Sequence, residues 1–251
     1  VVLSIPHGGI KRPPELDGRL CITERELFDD SDPFVAEIYD LGGGVSRVVK
    51  ADIARTYVDL NRPRTDVPPN ATDGVIKSST CYRRPIYVKG MEPDAALTDA
   101  LIRRYYDPYH EAIAEACAED GPVLGLDCHS MAAVAPEVSP DCSKSERPAF
   151  CLSNGDGTTC TGRQLERMAE CISESFGVPR QDIALNRPFR GGHITRSFGN
   201  NPVPWMQVEM NRSMYLDGRW FDYDSMVVDS GRLLALNGMF HESLRLFFRA
   251  D

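Results

Sequence analysis

A buried strand has no packing reason to finish on a carboxylate, a thiol and an imidazole, yet the apolar run "PVLGL" continues directly into Asp127, Cys128 and His129. The opening run "VVLSIP" likewise ends on His7, followed by two glycines that leave room for a ligand against the backbone. A single histidine at a strand end is ordinarily a turn residue. Two of them at separate strand ends, in a chain with only five, point to metal or acid–base chemistry. Asp127 and His129 are two apart, so in a strand both side chains share one face, and Asp127 can orient His129 by accepting an N–H. Two histidines, one carboxylate and an open position make a catalytic zinc set. The carboxylate is sought in "FDDSDPFVAEIY", where Asp29, Asp30 and Asp32 precede a helical pattern; the same residues are also ordinary helix N-caps.

Further groups fit an amide-cleaving site. Glu209 interrupts the apolar run "WMQVEM". Facing inward, it would have a raised pKa and serve as a base; facing outward, it is the polar half of an alternating strand. Asn61 and Arg62 in "DLNRPR", and Arg196 in "GGHITRSFG", stand among glycine and proline punctuation rather than on polar helix faces. Arginine grips a carboxylate through two parallel hydrogen bonds, so these residues suggest an anion pocket. His193, in a glycine-rich turn, is open to a cleft role, whereas His110 and His241 lie on helical patterns and read as packing or surface residues.

These residues must be positioned by alternating strands and helices, the α/β pattern. Strands are expected at "VVLSIP", "VSRVVKAD", "PVLGLD", "DIALNRPF" and "PWMQVEMN". Helices are expected at "PFVAEIYDLGG", over 94–121 with an interruption at Pro108, at "GRQLERMAECISESFG" and at "GRLLALNGMFHESLRLFF"; residues 135–161 read as a polar loop. One domain over 1–251 is expected, a mixed sheet covered on both faces, with His7, Asp127, His129 and Glu209 at strand ends where open α/β sheets bind ligands. The net charge of −9 disfavours nucleic acid and anionic membranes as partners. No apolar run reaches the ~20 residues of a membrane span. The chain opens without a basic n-region, so no signal peptide is expected. Eight cysteines without a C-x-x-C pair suggest a reduced, cytoplasmic protein; Cys142, Cys151 and Cys160 are evenly spaced but lack the paired partners of a metal cluster. Oligomeric state is not readable.

Taken in order, "IPHGG", "DDSDPFV", "YVDLNRP", "YYDPYH", "LDCHSM", "DGTTC", "FRGGHITRSFG" and "QVEMNRSMYL" resemble the N-formylglutamate amidohydrolase family, from the first residues to about Leu216. The resemblance implies a three-layer α/β/α hydrolase with a mainly parallel sheet, phosphorylase/hydrolase-like and similar to zinc carboxypeptidases. It implies one Zn2+ on His7, His129 and Asp32, Asn61 and Arg62 on a substrate carboxylate, and Glu209 as general base. Arg62 and Arg196 would then hold the two carboxylates of a small anionic amide, N-formyl-L-glutamate, as it is cleaved to glutamate and formate. Two departures stand out: Gly8 replaces the family's usual serine, and His193 its usual tyrosine, which leaves His193 open to binding substrate or metal. Rival readings are another N-acyl amino acid, carboxypeptidase-like or cell-wall amide hydrolase, and a metal-dependent binding module without turnover. A dinuclear ureohydrolase is excluded, because Met131 stands where its second aspartate would be.

Overall fold

The computed structural model describes residues 1–136, 139, 141–142 and 146–249. The strands of its central sheet are β1 (Val2–Ile5), β2 (Arg47–Lys50), β3 (Gly125–Met131), β4 (Phe150–Ser153), β5 (Ile183–Leu185) and β6 (Trp205–Asn211). They form one sheet in the order β2-β1-β3-β6-β4-β5, parallel throughout except where β6 meets β4. The helices are α1 (Glu24–Asp30), α2 (Val35–Tyr39), α3 (Ala95–Leu101), α4 (Asp107–Ala118), α5 (Gly162–Phe176), α6 (His193–Phe198), α7 (Ser213–Leu216) and α8 (Ser230–Phe248).

Two apolar cores flank the sheet and make the fold a three-layer α/β/α sandwich. On one side Leu3, Ile5, Leu126, Cys128 and Val208 meet Ile38 of α2, Ile172 of α5 and Phe240 of α8. On the other, Val2, Val49 and Trp205 meet Ile113 and Ala116 of α4 together with Tyr57 and Ile86 from the segment between β2 and α3. Gly125 is required at the start of β3, because a Cβ there would lie 2.1 Å from the Trp205 ring.

Several expectations are refined. Strand β3 continues through His129 to Met131, so Asp127 and His129 lie inside a fully buried strand rather than beyond its end. The expected loop at 135–161 contains β4, a four-residue strand too short to carry a period; residues 137, 138, 140 and 143–145 of that loop lie outside the described residues. Pro108 does not break the helix over 95–118. A π-helical segment, Ile102–Tyr106, widens the turn just before it and so accommodates a residue with no N–H to donate. Helix α1, unexpected from the sequence, starts with a capping box between Thr23 and Glu26. Among the described residues, all eight cysteines are free thiols, and no helix is long and apolar enough to cross a membrane.

Candidate active site

The two-residue period of the strands gives one apolar face and one that, beyond Val2 and Trp205, turns polar toward the C-terminal ends of the strands. On β1, β3 and β6, Ser4 pairs in register with Asp127, which pairs with Gln207, and His129 pairs with Glu209. All five side chains therefore share one face, and all are buried. His7, two residues beyond β1, closes over their C-terminal end. Asp32 arrives from the turn between α1 and α2. Helix α2 opens on Phe34 in a left-handed conformation with no side-chain cap, so the aspartates before it are free for other work. Asp29 pairs with Arg25, while Asp30 accepts from Thr56 Oγ1 and Cys81 N, both at 2.7 Å. Asp32 accepts from Ser130 N at 3.1 Å and is turned toward the two histidines.

Three electron-pair donors meet there. His7 Nδ1 lies 3.1 Å from His129 Nδ1, His129 Nδ1 lies 3.3 Å from Asp32 Oδ2, and His7 Nδ1 lies 3.6 Å from the same oxygen. A tetrahedral ion with ligands at 2.0–2.1 Å spaces its donors about 3.3 Å apart, so the cluster has the right dimensions for one. The far ring nitrogens face carboxylates: His7 Nε2 is 2.8 Å from Asp59 Oδ1, and His129 Nε2 is 3.1 Å from Asp127 Oδ1. With protons on Nε2, both lone pairs point inward, as metal-binding histidines require. Asp127 is itself fixed by Ser4 Oγ, Asn61 Nδ2 and Thr195 Oγ1.

Electrostatics point to a cation as well. Burial, helped by the Arg55 charge, pushes the His7 pKa down and keeps that ring neutral. Burial works the same way on His129, but Asp127 and Asp32 outweigh it and raise its pKa well above the usual value. Two facing Nδ1 atoms beside a carboxylate thus call for one positive charge between them, which a divalent ion supplies. Asp32 itself stays well below the carboxylate range: burial opposes this, and contacts from both histidines and the Arg212 charge prevail.

Glu209 faces inward, 6% exposed, and accepts from Gln207 Nε2 at 2.7 Å. Burial is the main reason its pKa rises to about 7. Together with the three donors it lines a cavity of about 320 Å³ that also receives Arg55, Arg62, Arg147, Arg190 and Arg212. Arg55 and Arg212 belong to the floor, where Arg55 pairs with Asp59 at 2.9 Å and Arg212 with Asp32 at 2.9 Å. Arg147 is held by Asp141 and Ser139.

The structure brings His7, Asp32, His129, Asp127, Glu209, Asn61 and Arg62 together but directs some of them differently from expectation. The amide of Asn61 is engaged internally, its Nδ2 donating to Asp127 and its Oδ1 accepting from Ile194 N, so it braces the site rather than reaching toward a ligand. Arg62 lines the cavity, with Asp73 as its partner. Arg196 and His193 do not line it. Because α6 begins at His193, helical geometry turns both away: Arg196 is exposed and bonds the carbonyls of Arg190 and Gly191, and His193 bonds Ser197 and lies 5.6 Å from the His110 ring. The glycines of that segment do matter, since a Cβ on Gly192 would meet Asn61 Nδ2 at 2.4 Å. Asp59, Arg55, Arg190 and Arg212 escaped the sequence reading; the proximity of Asp59 to "LNR" was the one available signal.

The chain is similar to known proteins over most of its length. The family profile described as N-formylglutamate amidohydrolase matches residues 1–216. The N-formylglutamate deformylase of Pseudomonas aeruginosa is 30% identical over 226 residues, covering 86% of this chain and 82% of the relative. That of Pseudomonas putida is 26% identical over the same shares. The crystal structure of N-formylglutamate amidohydrolase from Ralstonia eutropha JMP134 superposes with a TM-score of 0.78 at 24% identity, over 98% of this chain and 92% of that one. A gene product of Agrobacterium tumefaciens follows at a TM-score of 0.67 and 16% identity, over 98% and 89%. The match of the family profile, spanning every element that carries the site, shows that the chain belongs to the N-formylglutamate amidohydrolase family.

Proposed function

We propose that this chain, as one amidohydrolase domain over residues 1–251, hydrolyses N-formyl-L-glutamate to L-glutamate and formate with Zn2+ held by His7, Asp32 and His129. The observation that carries the reading is the convergence of two imidazole nitrogens and one carboxylate oxygen at tetrahedral spacing beside a buried glutamate. Nitrogen and carboxylate donors at that spacing suit zinc. When bound, such an ion supplies a Lewis acid and brings the pKa of water toward about 7. Glu209, with its pKa raised by burial to about 7, takes a proton from the attacking water and returns it to the departing amine. Asp59 and Asp127 hold the imidazoles in the metal-binding tautomer. Arg62 exchanges the exposed Asp73 for a substrate carboxylate. A cavity of about 320 Å³ lies at the small end of ligand sites, which suits a formyl amino acid better than a peptide. The free thiols accord with a reducing cytoplasm.

Elemental analysis of the purified protein, paired with a formate-release assay on N-formylglutamate, tests the proposal. One zinc per chain and chelator-sensitive formate release are expected, with both lost in His129→Ala. Zinc-loaded protein that releases no formate would overturn it.

A further inference from the structure

We infer that Arg190, and not Arg196, recognises the side-chain carboxylate of the substrate, and that exposed Asp156 holds its guanidinium until substrate takes over. The inference rests on the proposed hydrolysis of a formylated dicarboxylic amino acid and assigns its specificity.

The arginines that line the cavity differ in their partners. Arg55 and Arg212 are committed to buried Asp59 and Asp32 at the floor, and replacing those partners would dismantle the donor cluster. Arg147 is 5% exposed and engaged by both carboxylate oxygens of Asp141. Arg190 differs in kind, because its side chain is 62% exposed and its aspartate is itself largely in water. Arg62 is intermediate, bonded to an exposed aspartate but also 3.9 Å from buried Asp59 and bonded to the carbonyls of Asn61 and Asp73. Arg62 bonds Asp73, whose side chain is 70% exposed, and Arg190 lies 3.4 Å from Asp156, 51% exposed. Exposed pairs of this sort hold their partners weakly, so a ligand carboxylate can displace them. A fork that lines the cavity on a weak, exchangeable partner is suited to selecting an anion. Arg62 and Arg190 together would supply one cation for each carboxylate of a formylated acidic amino acid, with Arg190 the more freely exchanged of the two.

The segment carrying Arg190 is built to be held still. Arg196 bonds the carbonyls of Arg190 and Gly191, Gly192 N donates to Gln207 Oε1, and the Phe189 carbonyl accepts from Ser153 Oγ at 2.7 Å. Arg196 is thus a positioning residue for the backbone and does not line the cavity, whose open edge Arg190 lines. Asp156 sits between two glycines in a left-handed conformation that asparagine also tolerates, so Asp156→Asn removes the charge without refolding the turn.

The experiment compares kcat/KM for N-formylglutamate with that for N-formylglutamine, which has the same shape and no side-chain charge. In Arg190→Gln the ratio is expected to fall about 10- to 100-fold, the worth of a charge-assisted hydrogen-bond pair. In Asp156→Asn it is expected to rise about 2- to 5-fold, because the competing carboxylate is gone. An unchanged ratio in Arg190→Gln overturns the inference, as does a larger loss of discrimination in Arg196→Gln. If wild-type protein hydrolyses both compounds and the ratio ignores Arg190, this assignment alone fails. If wild-type protein hydrolyses neither, the proposed reaction fails and the assignment with it.

Discussion

The two faces of the central strands are both buried, but one is apolar and the other turns polar toward the C-terminal ends of the strands. On β1, β3, β6 and β4, Leu3, Leu126, Val208 and Leu152 point one way into helices α2, α5 and α8. Their neighbours Ser4, Asp127, Gln207, Glu209 and Ser153 point the other way, and these too are shut off from water. Alternation of this kind normally separates core from solvent. Here it separates an apolar core from a face whose part nearest the C-terminal strand ends is held by pairing, beyond the apolar Val2 and Trp205. Each polar side chain on the second face would cost free energy if left without a partner, so it is stable only as part of a network. That network ends in three unshared electron pairs, and the mismatch is what makes the face a site.

Glu209→Gln breaks the polar face most sharply. The change is nearly isosteric and keeps the contact to Gln207, so the fold and metal content should stay intact. Turnover should fall about 100- to 10,000-fold, the usual worth of a positioned base. Steady-state kinetics beside elemental analysis checks both halves.

Leu126→Ala tests the opposite face. It removes a fully buried side chain behind the same strand and should cost about 2–5 kcal/mol of unfolding free energy. Metal stoichiometry of the folded fraction should not change. If metal binding falls before stability does, the two faces are not separable in the way the register implies.

Asp59→Asn sharpens the contrast within the polar face. Asp59 touches no ligand position, yet it orients His7 from 2.8 Å and is gripped by Arg55 and Lys77. Losing its charge should weaken metal affinity about 10- to 100-fold, as measured by competition with a chromophoric chelator, and should also lower the denaturant midpoint, because Arg55 and Lys77 lose a buried partner.

The same contrast explains what could be read from the chain beforehand. The apolar face and its helices were legible because long amphipathic segments such as 162–176 carry a clear period and end at a left-handed Gly177. His7, His129 and Glu209 were legible because each interrupts or ends an apolar run. Asp59 was not, since an aspartate in "YVDL" looks like the solvent half of a strand, and only the tertiary fold brings it to His7 across 52 residues. Arg196 and His193 misled for the converse reason. A glycine-rich stretch suggests a turn presenting both, but helix α6 starts at His193 and its geometry decides which side chains face the cavity. The Arg190 assignment required that same three-dimensional information.

The smallest expected effect concerns pH, and its sign follows from the polar face alone. Burial raises the Glu209 pKa to about 7, and a base works only when deprotonated, so kcat/KM should climb with pH along an acid limb governed by this group. A bound divalent ion favours the carboxylate form, which places the limb at or below about 7 in the loaded enzyme. Gln207 donates to the same carboxylate and also favours its charged form. Gln207→Leu should therefore move the limb upward by up to about one pH unit, because the lost hydrogen bond is worth about 1 kcal/mol. A limb that moves downward would mean that Gln207 supports Glu209 in its protonated state, and the base would then have to be sought elsewhere on the polar face.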